Sequence, residues 1–334
     1  MRYYELEITD SKGKTISDSA GNVIGPWDTK KNPAGALNIS FDVLITALDV
    51  ASGGTVLSVY GLPLSVLSQS VNLFQANVTL YGGFSGGLPL ENADQKGLIL
   101  DGQVWNPYGN WEGVNQCLNL IINPAPLMND DGRQLSIRLD GRKGEKLSDV
   151  LQRALRNAYP RTALSVSVSD SLILPEDWTA VYNRPSQLAV FLRSASFGLM
   201  KQEGYAGVSI VMQKGIIRIF DNLATSGATE INVADLIGQP TWIGLNKISL
   251  KTPLRGDLAC GDILTLPAGV VNGSASLLSA STPEAFTWGR SQLNFSGRFQ
   301  ITSLRHVGEY RNAAGEAWVT IIEAIDLPAQ EQKA

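Results

Sequence analysis

Charge, histidine and cysteine are all scarce in this chain: 17% of its 334 residues are charged, one is histidine and two are cysteine. Cys117 and Cys260 stand far apart with no Cys or His at ligand spacing, and His306 sits alone within an alternating run. That inventory leaves little room for a zinc cluster or a histidine-based triad, so the thiols read as buried and free and the imidazole as packed or at the surface. Lys and Arg nowhere cluster and the net charge is −4, which argues against a chain that grips nucleic acid, because neutralising phosphate takes grouped cations. A channel that nucleic acid merely passes through stays open. No run nears the roughly 18 uninterrupted apolar residues of a membrane helix. The opening Met1 to Glu7 has neither signal-peptide nor lipidation features, so the expectation is synthesis in the cytosol and no membrane insertion.

What is plentiful is apolar side chain, 44% of residues, over a length that fits two or three domains. With so little charge the solvated face rests on Ser, Asn, Thr and Gln, a surface suited to meeting other subunits. The stretch Phe295 to Asp326 is the most informative. Phe299 and Ile301 alternate with Gln300 and Thr302, Val319 and Ile321 flank Thr320, and Arg311 to Gly315 tolerates a turn, so the run predicts a long hairpin.

Strand texture dominates the front as well. Tyr4, Leu6 and Ile8 alternate with Glu5 and Glu7, and a turn at Asp10 to Gly13 followed by Thr15 predicts a hairpin. Residues 18 to 37 read as a loop anchored by Trp27. Ile39, Phe41, Val43 and Ile45 face inward with Ser40 and Asp42 opposite. Short apolar runs then follow at Val56 to Tyr60, Val71 to Phe74, Val78 to Tyr81, Leu98 to Leu100 and Cys117 to Ile122, a close spacing that indicates a sandwich or barrel. Gly82-Gly83 and Gly86-Gly87 lack the Lys-Ser or Lys-Thr and the helix of a phosphate loop.

After Pro124 and Pro126 the period changes. Leu135, Ile137 and Leu139 predict a strand, and Leu147, Val150, Leu151, Ala154, Leu155 and Ala158 recur at helical spacing until Pro160. Leu164, Val166 and Val168 form a strand. Ser186 is placed at the N-cap of a second helix marked by Leu188, Phe191, Leu192, Ala195 and Leu199. Val208, Ile210 and Met212 turn at Gln213-Lys214-Gly215 into Ile217 and Ile219. Beyond the link Asn222 to Thr229, strands are expected at Ile231 to Ile237, near Thr241-Trp242, at Lys247 to Leu250 and after Gly261-Asp262, with a loop from Ala268 to Ser291 before the final hairpin. The domains are therefore 1–125, β; 126–225, an α/β insertion; 226–328, β; and 329–334, a flexible tail.

Two sets of residues in this arrangement resemble the tail hub proteins of bacteriophages, the trimeric baseplate hub of contractile tails and its relatives in phage-like secretion machines. Val78 to Phe84, Gly97 to Val104 and Cys117 to Ile121 are similar to the first hub barrel, although Tyr81 ahead of Gly82-Gly83 departs from its turn. Gly261 to Pro267, Gly297 to Ile301, His306 to Arg311 and Trp318 to Thr320 are similar to the closing barrel, with the spacing at His306 shifted. The resemblance implies a mainly β fold with two barrel-type domains flanking a small α/β module. It also implies a homotrimer whose six barrels continue a sixfold tail tube and let DNA pass without specific binding. Its partners would be the tail tube protein, the central spike, the tape-measure protein and the baseplate wedges, within the virion. It implies no catalysis and no cofactor, metal or other site residue.

Two other classes compete. A glycoside hydrolase needs two carboxylates across a cleft, and Glu112, Asp130-Asp131, Asp140 and Glu176-Asp177 supply candidates. In that enzyme Trp27, Trp105, Trp111 and Tyr108 would stack on sugar rings, and a sugar-binding adhesin would rest on the cluster Trp105, Tyr108 and Trp111 alone, although aromatics in Gly-rich loops also serve as packing anchors. Within the tail itself, a hexameric distal-tail or tube-initiating protein would hold one barrel per chain.

Overall fold

Side-chain alternation decides most of this backbone. In the computed structural model, which describes residues 2–50, 54–84, 95–124, 134–223, 227–232, 235–266 and 297–327, the front lays down β1 (Arg2–Thr9), β2 (Trp27–Asp28), β3 (Asn38–Thr46), β4 (Thr55–Tyr60), the short helix α1 (Leu64–Ser68), β5 (Asn77–Phe84), β6 (Gly97–Glu112) and β7 (Asn115–Asn123). The middle adds β8 (Ile137–Gly141), α2 (Leu147–Ala158), β9 (Ala163–Ser167), β10 (Trp178–Tyr182), α3 (Pro185–Met200), β11 (Ser209–Gln213) and β12 (Ile216–Phe220). The rear holds β13 (Ala228–Glu230), β14 (Thr241–Trp242), β15 (Lys247–Pro253), β16 (Ile263–Thr265), β17 (Arg298–Glu309) and β18 (Trp318–Asp326). The fold is mainly β with a small inserted α/β module.

Front and rear strands share one curled 13-stranded sheet, in the order β14-β15-β18-β17-β3-β4-β7-β6-β5-β1-β2, with β16 beside β17 and β13 beside β16. The seam is β3 against β17, where Ser40 to Thr46 run antiparallel to Glu309 to Ser303. Ile39, Phe41, Val43 and Ile45 are buried while their neighbours are only half-covered, so the strand has a dry face and an open face. The alternation continues into β17, where Leu304 and His306 turn inward and Arg305 outward. One cluster of buried side chains follows the dry face from Tyr4 and Leu6 through Phe41, Leu57 and Leu118 to Leu250, Phe299 and Trp318. Each such large apolar side chain contributes roughly 1.5–3 kcal/mol by leaving water.

Trp318 holds the two regions together. Its ring meets Phe41 edge-on at 5.1 Å and Tyr310 at 6.2 Å, and its Nε1 donates to Gly83 O of β5 at 2.9 Å. A second closure brings Gly97, opening β6, against Gly256 in the rear: a Cβ on Gly97 would stand 2.7 Å from Gly256 O, and one on Gly256 would stand 2.6 Å from Gly97 Cα.

The middle segment has its own buried cluster, built from Ile137, Leu139, Leu147, Leu151, Leu155, Leu188, Leu192, Ile210 and Ile219 among others. The apolar face of α2 is the one read from its spacing, and the helix stops at Ala158, two residues before Pro160. α3 begins two residues earlier than expected. Arg184 is its N-cap and Pro185 its first residue, so Ser186 lies inside the first turn; a proline at that position is preset for the helix and leaves no role for a hydroxyl cap. β11 and β12 form a hairpin whose turn, Lys214-Gly215, has positive φ at both residues (55° and 69°), and β12 runs parallel to β9.

Three other expectations are corrected. The turn expected at Asp10 to Gly13 forms and returns antiparallel at Thr15, but the hairpin is a single bridge long, Thr9 to Thr15, with Asp10 N donating to Lys14 O and the Asp10 carboxylate accepting from Lys12 N and Lys14 N; the long partners of β1 are β5 and β2. Val71 to Phe74 is not a strand, since Ser70–Leu73 is a 3-10 turn that buries Leu73 alone, and so short an apolar run has no decisive period. The strand expected at Ile231 to Ile237 falls instead at β13, whose ladder with β16 is followed by Ile231 N donating to Thr265 O. Gly86-Gly87, the Ala268 to Ser291 loop and the 329–334 tail lie outside the described residues.

Candidate functional site

Two of the candidate acids, Asp140 and Asp177, are occupied locally. Asp140 pairs with Arg138 at 3.6 Å. Asp177 accepts from Lys143 N at 2.8 Å and pairs with Arg142 at 3.3 Å, contacts that hold its carboxyl below the usual range. Glu112 ends β6 in the front region, whereas Asp140, Glu176 and Asp177 belong to the inserted module; Asp130 and Asp131 lie outside the described residues. Among the described residues, no three His, Cys, Asp or Glu side chains are grouped to hold a metal.

The aromatic candidates do not share a face. Tyr108 is opposite Asn119 and Trp111 opposite Gln116 in the β6–β7 ladder; residues three apart on a strand point to opposite sides. Trp105 is the extra residue of a bulge between Val104 and Asn106, and its ring lies 6.1 Å from Phe74. Trp27 is on β2, at the margin of the sheet. A flat sugar platform made of Trp105, Tyr108 and Trp111 is therefore not what the strand builds.

The broad surface that remains is the open face of the sheet. Across the seam, Asp42 and Leu44 of β3 share it with Arg305 and Val307 of β17, then with Ile321 and Glu323 of β18 and Lys247 and Ser249 of β15. Toward the other edge come Val56 and Ser58, then Asn119 and Ile121, then Thr79, Glu7 and Glu5. Two of its cations are matched by carboxylates of neighbouring strands. Arg305 Nε and Nη2 donate to the two oxygens of Asp42 at 2.8 and 2.5 Å, Lys247 reaches Glu323 at 2.6 Å, and Ser58 Oγ donates to Asn119 Oδ1 at 2.8 Å. The Asp42 contact raises the Arg305 guanidinium above its ordinary value.

Two shallow clefts open on this face. One, of about 420 Å³, lies where the inserted module meets the sheet, between Arg193 and Ser209 on one side and Leu44, Thr46, Lys247 and Glu323 on the other. The next, of about 460 Å³, covers Asp42, Val56, Arg305 and Ile321. Arg193 is held by Asp49 at 2.8 Å and Lys247 by Glu323, so the donors of these clefts already have partners.

The module is attached through polar contacts that the sequence did not disclose. Lys214, at the β11–β12 turn, donates to Gly256 O; Gln213 donates to Leu258 O at 3.1 Å and accepts from Cys260 N at 2.9 Å; Arg218 pairs with Asp262 at 2.7 Å. Arg255, almost wholly buried, is clamped by both oxygens of Asp257 at 3.0 and 2.6 Å and lies 3.7 Å from Asp235. Burial lowers the Lys214 pKa, and burial with the nearby Lys214 charge depresses His306 to about 3. Both cysteines are buried and free; burial pushes Cys260 up to about 12 and raises Cys117, so neither is poised as a nucleophile.

No protein-family model matches the chain, and no curated protein matches it. Among solved structures it is similar to a component of the E. coli type VI secretion system, itself described as structurally similar to T4 bacteriophage tail proteins, at a TM-score of 0.46 and 9% identity over 87% of this chain and 74% of that one. It is also similar to the tail protein of Neisseria meningitidis, at 0.48 and 8% over 97% and 96%. A third is the 43 kDa tail protein of prophage MuSo2 from Shewanella oneidensis, at 0.48 and 10% over 99% and 100%.

Proposed function

We propose that the chain is a structural hub of a bacteriophage-type tail baseplate, a ring subunit that joins the tail tube to the central spike and forms part of the DNA conduit, with no enzymatic role. The observation that carries this reading is the β3–β17 seam, which makes the two β regions one wall with a dry face and a polar face. Three copies side by side would place six β regions about an axis and match a sixfold tube. Repeated heterologous contacts would close such a ring, and the sheet margins at β2 and β14, two residues each, are short enough to stay monomeric until a neighbour covers them.

The open face supports the conduit. Arg305 and Lys247 are answered by carboxylates of adjacent strands, so phosphate meets no grouped cation there. The tail tube, spike, tape-measure and wedge proteins of the virion are the partners this role requires. Native mass spectrometry with negative-stain class averages tests it: three chains around one opening support the hub, six chains around one opening favour a tube-initiating ring, and a chain that stays monomeric overturns both.

A further inference from the structure

The inserted module and the sheet each have a buried cluster, and the β11–β12 hairpin belongs to both. Residues 210–213 of β11 are all buried, unlike β3, whose second face is open. Alternation divides the hairpin between the two cores. Ile210, Met212, Ile217 and Ile219 enter the module's cluster, whereas Val211 and Phe220 enter the cluster of the sheet. The ladder register agrees: Ile210 stands opposite Ile219 and Met212 opposite Ile217 on one face, with Val211 opposite Arg218 on the other. Ile219 and Phe220 are thus chain neighbours that serve different cores.

The sheet-side face is gripped at several points. Gln213, 3% exposed, donates to Leu258 O and accepts from Cys260 N. Phe220 lies against Gly261, where a Cβ would stand 2.8 Å from the ring, and Gly261 N donates to Ile301 O of β17 at 2.8 Å. Gln300 of β17, also buried, donates from Nε2 to Asp221 O at 2.9 Å, directly after β12. On the other strand of the seam, Leu48 follows the end of β3; its N–H donates to Ile210 O at 2.8 Å and its side chain packs against the module's cluster. The hairpin therefore meets both strands of the seam, β17 through Gln300 and Gly261 and the exit of β3 through Leu48.

Interfaces between domains of one chain are commonly polar and permit relative motion unless they are large and hydrophobic. The arrangement here differs, because the same two strands are sunk into both cores. Moving the module on the sheet would pull Val211 and Phe220 out of one cluster, or Ile210, Met212, Ile217 and Ile219 out of the other. We propose that β11–β12 is a strut that makes the module and the sheet one cooperative unit, so that a pull or a ligand taken up by the module is felt at the β3–β17 seam. Neither part opens without the other.

Hydrogen exchange followed by mass spectrometry on the intact chain tests this, with peptides of α2 reporting the module and peptides of β18 the sheet. Leu151→Ala truncates a fully buried side chain of the module's cluster, and Leu57→Ala does the same for the sheet in β4. Each is expected to speed the slowest amides of both regions by the same factor, at least about tenfold. Ile137→Val, a milder cut in β8, carries the same comparison at higher stability. Acceleration confined to the region that bears the substitution, or larger there, overturns the proposal. A Leu151→Ala chain with α2 and β18 both unprotected from the start supports it, whereas one that loses α2 and keeps the sheet folded refutes it. Both peptides come from one sample, so the comparison holds whatever number of copies assembles, and the ring reading stands or falls on its own mass measurement.

Discussion

His306 and Thr320 face each other across β17 and β18, with the imidazole Nδ1 2.9 Å from the threonine Oγ1 and both residues fully buried. The same hydroxyl accepts the backbone N–H of Arg255 at 2.9 Å. One side chain therefore joins the last strand of the sheet to the rear loop that closes on Gly97.

Thr320→Val keeps the shape but leaves the Arg255 N–H and the His306 Nδ1 without partners in a dry interior. At about 1–3 kcal/mol for each of the two stranded groups, the expected loss is about 2–6 kcal/mol. Guanidinium unfolding measures it, and Thr320→Ser should recover most of the difference.

His306 is the chain's one histidine, which makes its linkage to stability separable. Its pKa falls from 6.5 to about 3 on folding, first through burial and then through Lys214. Below 6.5 the unfolded chain binds a proton that the folded chain refuses, so stability drops as pH falls, by up to about 1.4 kcal/mol per pH unit until the folded value is reached. Urea midpoints between pH 6.5 and 5.0, above the range where carboxylates titrate, should show this slope in the wild type and lose it in His306→Gln.

Lys214→Met removes a cation that opposes imidazolium formation. The His306 pKa should then rise from about 3 while staying below 6.5, because burial is the larger cause. Imidazole NMR resonances followed through an acid titration report the change directly.

Gly256→Ala drives a methyl into the backbone of Gly97, where no side-chain rotation relieves the contact, and overpacking of this kind costs about 1–3 kcal/mol. Gly198, in α3, has open space around its missing Cβ and no positive φ. Gly198→Ala is expected to stabilise by about 0.5–1 kcal/mol through helix propensity. Opposite shifts in guanidinium midpoint for the two alanines check the assignment.

Asp42→Asn breaks the two-pronged contact with Arg305. Because both side chains are about half exposed, the expected cost is under about 1 kcal/mol, and it should shrink further at high salt. A double-mutant cycle with Arg305→Gln at two ionic strengths measures it.

The strand with strict alternation, Ile39 to Ile45, announces both its faces and its burial, whereas the Phe299 to Ile321 hairpin was legible as a hairpin but not in its faces: Gln300 and Thr320 are buried, Ile321 lies on the open face, and a bulge between Ile301 and Ser303 shifts the register. α2, through its spacing, and the Lys214-Gly215 turn were legible too. Local pattern did not reveal pairing at a distance. Nothing in Ser40 to Thr46 names Ser303 to Glu309 as its neighbour, and the length of β6 was hidden because Asn106, Pro107, Gly109 and Asn110 are poor strand formers held by β7 and α1. The polar attachment of the module escaped for the same reason. Gln213 and Lys214 read only as part of a turn, and neither they nor Arg218 name Leu258, Gly256 and Asp262 as the partners the fold brings to them.

The β3–β17 seam also sets an order of events during synthesis. Asp42 and Arg305 are 263 positions apart, so β3 is made long before the strand that covers its flank has left the ribosome. Contacts of such sequence separation form late and slowly, and until then the nascent chain presents an uncovered strand margin to its neighbours. Productive folding of this protein therefore depends on keeping crowded chains apart until β17 has emerged.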